Sequence, residues 1–301
     1  MTMGPILITG ATGQLGMALA AGAGVRGFTH RAVGRPCFDF DAPETIGQCL
    51  AATSPALVVN AAAWTAVDAA ETNAEAAWRA NRDGPAELAL LCAERRIPLI
   101  HVSTDYVFDG EKGAPYVETD PVAPLGVYGA SKEAGERAVL ESGADATVLR
   151  TAWVFSARGK NFARTMINAA RKTGALKVVA DQRGTPTAAE DLATAILDIA
   201  AQLLRSGWQP RYRGIFHATN AGETTWHGFA EAIFDVAAKN GETRPTVSPI
   251  ATSDWPTPTR RPADSRLDCS KLEETFTVTL PSWQDATRRV VTAMLARDRA
   301  A

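Results

Sequence analysis

The chain lacks any strong excess of charge. Its 301 residues carry a formal net charge of -2, which gives no electrostatic case for nucleic acid or an acidic membrane as partner. It also lacks an apolar run of the roughly 18 residues needed to span a bilayer. The N-terminus enters an apolar strand almost at once, so no signal peptide is expected and a cytoplasmic location is the expectation. Cysteine is scarce: Cys37, Cys49, Cys92 and Cys269 are scattered without C-x-x-C spacing. That pattern fits free thiols in a reducing compartment and speaks against a metal site. The four histidines, His30, His101, His217 and His227, are equally dispersed. His101 and His217 fall inside apparent strands and read as hydrogen-bonded structural residues. No internal repeat or low-complexity tract is present. What remains is an ordinary globular composition, long enough for one large domain or two modest ones.

The first positive signal is Gly10-Ala11-Thr12-Gly13-Gln14-Leu15-Gly16. An apolar stretch, Pro5-Ile6-Leu7-Ile8-Thr9, precedes it, and a helix-forming stretch, Met17-Ala18-Leu19-Ala20-Ala21, follows it. Strand, glycine turn and helix in that order form a dinucleotide-binding unit. Gly10 permits the tight turn, Gly13 lets backbone amides approach a pyrophosphate, and Gly16 lets the helix pack closely. In such folds an acid at the end of the second strand binds the ribose 2'-hydroxyl. Here that place reads Ala32-Val33-Gly34-Arg35-Pro36, with an Arg and no acid. A guanidinium there can pair with a 2'-phosphate, which favours NADPH over NADH. The alternative is that Arg35 is a solvated surface charge. In Phe38-Asp39-Phe40, Asp39 is placed to hydrogen-bond the adenine amine, and Phe40 is expected beside it among the cofactor-binding residues. Ala61-Ala62-Ala63, at the end of the third strand, are small enough for a cofactor to lie against the sheet.

The second signal is Tyr128 and Lys132, four residues apart on a helix, hence on one face. An ammonium beside a phenol favours the phenolate, so Lys132 is expected to lower the pKa of Tyr128 toward the range of an acid/base catalyst. Ser103-Thr104-Asp105 follows the fourth strand, at the sheet end where doubly wound folds bind ligands. Thr104 is placed there either to hydrogen-bond a substrate carbonyl or to cap a turn.

Strands are expected at 5–9, 29–33, 57–61, 98–103, 146–150, 176–180 and 214–218. Helices are expected at 14–23, 43–52, 74–95, 128–141, 188–204, 226–239 and 283–297. Their alternation predicts an α/β fold: a Rossmann-like doubly wound parallel sheet with a smaller mixed α/β substrate domain. The cofactor domain is expected at 1–152, with returning segments within roughly 176–218. The substrate domain takes about 153–175 and 219–301. Residues 243–268, rich in Pro, Thr, Ser and Arg, form either a surface linker or a substrate-clamping loop.

Together, the glycine loop, the Ser103–Gly110 segment and the Tyr128/Lys132 pair resemble the extended short-chain dehydrogenase/reductase family over essentially the whole chain. Longer ordered segments are similar to the dTDP-4-dehydrorhamnose reductases of that family. These are Glu118-Thr119-Asp120, Pro124 to Gly129, Arg150 to Phe155, Asn161-Phe162-Ala163, Asp181 to Thr187 and Arg260 to Leu267. The resemblance implies reduction of the C4 ketone of a dTDP-linked 4-dehydro-6-deoxy sugar to dTDP-L-rhamnose. Tyr128 would be proton donor, Lys132 would hold the nicotinamide ribose, and Thr104 would position the carbonyl. It also implies that Asp105 and Trp153 shape the sugar site and that Arg261, with Gln182, faces the diphosphate. Some members are dimers joined through a metal such as Mg2+, with a carboxylate just after the glycine loop. Here that position is Ala18 and only Glu190 remains, so the residues argue against a metal and leave monomer and homodimer both open. Two further readings keep the same fold. One is a reductase of another nucleotide-linked 4-keto-6-deoxy sugar. The other is a non-catalytic NADP-binding regulatory subunit of the methionine adenosyltransferase type, against which the intact Thr104, Tyr128 and Lys132 argue.

Overall fold

The computed structural model describes residues 4–300. The first half of the chain alternates strand and helix. Strand β1 (Ile6–Thr9) leads to α1 (Gln14–Val25), β2 (His30–Val33) to α2 (Glu44–Thr53), and β3 (Leu57–Asn60) to α3 (Val67–Thr72) and α4 (Ala74–Trp78). Next come α5 (Gly84–Arg95), β4 (Leu99–Thr104), α6 (Val127–Glu141) and β5 (Ala146–Thr151). The helix expected at 74–95 is present, helical throughout, but α4 and α5 are joined by a π-helical turn, Arg79–Asp83, just before Pro85.

The second half is built from shorter pieces. They are β6 (Val154–Phe155), α7 (Phe162–Ala170), β7 (Ala175–Val179), β8 (Arg183–Gly184), β9 (Thr187–Ala188), α8 (Ala189–Ser206) and β10 (Gly214–His217). After them come β11 (Thr224–Thr225), α9 (Trp226–Lys239), β12 (Thr246–Ile250), α10 (Ser270–Phe276) and α11 (Trp283–Ala300).

Six strands form one parallel sheet in the order β10-β5-β4-β3-β1-β2. The strands of its centre are apolar runs buried on both faces, as a sheet covered by helices requires. Ile6, Ile8, Leu57 and Val59 pack on one side with α1 and α8, whereas Leu7, Val58, Leu99 and Val148 pack on the other with α2 and α5. Strand order reverses between β1 and β3, and ligands bind above the carboxyl ends at that point. A separate core joins α7, α9 and α11 through Ile167, Phe229, Ile233, Val291 and Met294.

Two expectations need revision. The strand at 175–179 does not return to the large sheet: it pairs in parallel with β12, against α9, within the second core. The 243–268 segment is not a bare linker, since it contains β12. It then hydrogen-bonds along Arg183 and Tyr116, through Arg183 N to Ala263 O, Ser265 N to Arg183 O and Tyr116 N to Arg266 O. Its proline-rich composition hid that partner strand, because pairing with β7 is a long-range contact. The buried histidines are tied down. His101 Nδ1 lies 2.9 Å from Asn60 Nδ2, and His217 Nδ1 lies 3.1 Å from the Tyr116 and Asp268 carbonyls. Among the described residues no helix is long and apolar enough to cross a membrane.

Candidate active site

The glycine loop leaves β1 with Gly10 at φ +71°, where a Cβ would lie 2.7 Å from the Ala61 carbonyl oxygen. At Gly16, on the first turn of α1, a Cβ would collide with the Gly10 carbonyl. The two glycines thus bring the start of α1 down onto the loop between the ends of β1 and β3. No side chain caps α1, so its first amides remain free to meet an anion. Thr12 and Gly13 are exposed on the turn, and Leu15 is buried in the core beneath it. Ala61 and Ala62 are half-buried and Ala63 is exposed beside the loop. These features fit a dinucleotide pyrophosphate. Gln14 Oε1 accepts a 2.8 Å hydrogen bond from Asn161 Nδ2, a contact that ties the loop to the start of α7.

Arg35 stands just past β2, exposed, and is held by two acids. Its Nε donates to Asp39 Oδ1 at 2.9 Å and its Nη2 to Asp41 Oδ2 at 2.6 Å. Asp39 is therefore engaged with Arg35 and with the Asp41 amide rather than standing free for an adenine. Phe40, expected among the cofactor-binding residues, has its ring packed against Phe38 and over Gly84 and is largely buried. Periodicity alone does not distinguish an aromatic at a strand end that faces a ligand from one that fills a core.

Helix α6 carries Tyr128 and Lys132 inward, and both are almost fully buried. The Tyr128 ring meets the edge of Tyr106 at 5.5 Å between centroids, next to Thr104 at the end of β4. Thr104 closes β4; its Oγ1 donates to Asp105 Oδ1 at 3.0 Å and accepts the Tyr106 amide at 3.2 Å. Lys132 Nζ donates to the Val102 carbonyl at 2.7 Å. The expectation that Lys132 lowers the Tyr128 pKa is not met. Burial holds the phenol above its usual value, only partly offset by the nearby Thr104 hydroxyl, and Asp105 adds to the rise. Tyr128 therefore stays protonated at neutral pH, the form a proton donor needs. Burial pushes Lys132 down to about 8, with Glu136 opposing, and pushes Asp105 up to about 6.

As pH rises through about 8, the Lys132 ammonium is lost. Turnover is expected to fall on that alkaline limb, and Lys132→Gln, with no titrating amine, is expected to be slow with no such limb. A wild-type profile flat well above that pH would detach Lys132 from the rate.

Trp153 follows β5 in a left-handed conformation, φ +46°, and stacks on Trp226 at 3.6 Å between ring centroids. Gly184 leaves it room, since a Cβ there would lie 2.5 Å from the indole. Gln182 accepts from Trp226 Nε1 and donates to Thr252 Oγ1, both at 3.1 Å. Arg261 reaches Tyr106 OH at 2.9 Å and Asp68 Oδ2 at 2.8 Å, within the wall that leads to Tyr128. The structure therefore gathers Thr104, Asp105, Tyr106, Tyr128 and Arg261 through direct contacts. Trp153, Gln182 and Trp226 form a second group. Glu190 lies elsewhere, exposed in the first turn of α8. Among the described residues no three His, Cys, Asp or Glu side chains cluster as a metal site.

Sequence reasoning missed Asn81. From the π-turn its Oδ1 accepts the Trp64 amide at 2.9 Å, while its Nδ2 donates to the Trp64 carbonyl and to Ser131 Oγ. It thus fastens the chain after β3 to the helix bearing Tyr128. Flanked by Arg79, Arg82 and Asp83, Asn81 carries no signal in the sequence that sets it apart from a solvated helix face.

Parallel six-stranded sheet, glycine cradle at the switch point and a Tyr/Lys helix beside a strand-end Thr define an extended short-chain dehydrogenase/reductase. A family model described as the RmlD substrate binding domain matches residues 3–296, and the chain belongs to that family. It is 44% identical to the dTDP-4-dehydrorhamnose reductase of Sinorhizobium fredii over 292 residues, covering 96% of this chain and 97% of the relative. It is 41% identical to a probable dTDP-4,6-dihydroxy-2-methyloxan-3-one 4-ketoreductase of Streptomyces antibioticus, covering 97% of this chain and 96% of the relative. Among solved structures it resembles the dTDP-4-dehydrorhamnose reductase of Bacillus anthracis in complex with NADP. There the TM-score is 0.89 and the identity 30%, covering 97% of this chain and 99% of that one.

Proposed function

We propose that this chain catalyses the NADPH-dependent reduction of the C4 ketone of dTDP-4-dehydrorhamnose to dTDP-L-rhamnose. The observation that carries the reading is the buried Tyr128, packed against Tyr106 beside the strand-end Thr104 and one helical turn from Lys132. When bound, NADPH supplies the hydride that adds to C4. The free amides at the start of α1 receive its pyrophosphate, and Lys132 faces its nicotinamide ribose. Thr104 and Tyr128 hold the ketone oxygen between two hydroxyls. Tyr128 then delivers its proton to that oxygen as negative charge develops there. The buried walls keep water away from the proton path. Trp153 and Gln182 line the sugar, and Arg261 meets the nucleotide diphosphate as a bidentate guanidinium. Reduction in a cytoplasmic setting suits the free thiols.

The test is nicotinamide absorbance during incubation with NADPH and the 4-keto sugar nucleotide, made from dTDP-glucose by the preceding dehydratase and epimerase. Sugar-dependent oxidation yielding dTDP-rhamnose is expected. NADPH binding without oxidation would sink this substrate assignment. A C4 ketone on another dTDP-linked deoxysugar is the second reading, favoured by the likeness to the Streptomyces antibioticus ketoreductase.

Arg35 makes NADPH the preferred donor, with NADH a weaker one. The Arg35 side chain is 67% exposed, enough for its guanidinium to re-pair with a 2'-phosphate. Arg35→Ala is expected to weaken NADPH binding about tenfold and NADH binding less than twofold. Equal losses in a fluorescence titration would remove Arg35 from cofactor choice.

A further inference from the structure

Helix α6 begins without a cap of its own. Gly126 supplies no side-chain acceptor, and the first turn contains no acid. The acceptor comes from another helix: Glu71 Oε1 of α3 takes the Val127 amide at 2.9 Å. The same oxygen lies 3.3 Å from Thr259 Oγ1, a hydroxyl that is otherwise buried. Gly126 makes the approach possible, since a Cβ there would stand 2.6 Å from both Glu71 Oε1 and Thr259 Cγ2. One turn earlier on α3, Asp68 holds Arg261, two residues after Thr259. A short helix that periodicity did not reveal thus grips the 259–261 segment at two points. One of those grips reaches the amide immediately before Tyr128.

We propose that Glu71 is a positioning residue for the reduction, linking the substrate-side segment at Thr259 to the first turn of the catalytic helix and so to the alignment of Tyr128. This rests on the reductase reading above. Glu71 touches neither sugar nor cofactor in this scheme; it acts through Val127. The carboxylate also places negative charge at a helix N-terminus, where it is favourable. A glutamine retains the accepting oxygen, so the hydrogen bond and not the charge is the essential element.

The test compares Glu71→Ala, Glu71→Gln and Thr259→Val in the full chain by steady-state kinetics and by hydrogen exchange of the first turn of α6. Glu71→Ala is expected to lower kcat about tenfold with the KM for NADPH unchanged, and to speed exchange in that turn about fivefold. Glu71→Gln is expected to restore both to within about twofold. Thr259→Val is expected to lower kcat about threefold. Unchanged exchange in Glu71→Ala, faster exchange with undiminished kcat, or wild-type kcat in Thr259→Val would each overturn the proposal. A wild-type protein inert toward the sugar nucleotide would instead overturn the reductase reading, and the exchange arm would still decide whether Glu71 holds the helix.

Discussion

Tyr128→Phe is expected to reduce turnover by roughly 10²–10⁴-fold while leaving NADPH affinity nearly intact. The substitution removes one oxygen and little else. The ring keeps its edge contact with Tyr106 and its place in the small cluster with Ala70 and Ala77, so the helix should not shift. What is lost is the hydroxyl proposed as the proton donor. Because burial already holds the phenol protonated, no other group needs to change state for the defect to appear. Single-turnover measurements with saturating NADPH would read the chemical step directly. Turnover within a few-fold of wild type would show that another donor protonates the alkoxide. Asp105 would then become the leading candidate, since it is buried beside Thr104 with its pKa pushed up to about 6.

The second large effect concerns stability. Glu136 lies one turn beyond Lys132 and receives Arg150 through Nε at 2.9 Å and Nη2 at 2.6 Å, with both side chains only 2% exposed. The guanidinium sits 4.9 Å from the centre of the Phe108 ring, and its Nη1 has no partner. Glu136→Ala would leave a charged group buried without its counterion, and an expected loss of about 3–5 kcal/mol follows. Urea unfolding reads this directly. Replacing the pair together, Glu136→Leu with Arg150→Met, is expected to recover most of that loss, because the cost arises from the orphaned charge and not from the missing bond. A loss under about 1 kcal/mol in the single variant would mean that water reaches Arg150. Since Glu136 also opposes the downward push on Lys132, the alkaline limb should move to lower pH in any folded Glu136→Gln protein.

Much of this molecule is set locally. The apolar strand, glycine turn and helix at 5–25 specify a dinucleotide cradle, because each demand there is met by residues within one turn of each other. The same holds for the face shared by Tyr128 and Lys132, which follows from the helical repeat. The order of strands and helices in the first half prescribes a doubly wound sheet, since parallel neighbours need crossovers of that length. Tertiary structure alone decided the rest. It set the protonation of Tyr128, because burial of α6 outweighs the nearby ammonium. It sent Phe40 into the core over Gly84, occupied Arg35 with Asp39 and Asp41, and moved β7 out of the main sheet to pair with β12. It also brought Asn81 to Ser131 and Glu71 to Val127, 50 and 56 residues apart along the chain. Such contacts leave no periodicity to read, since each depends on where two distant backbones come to rest.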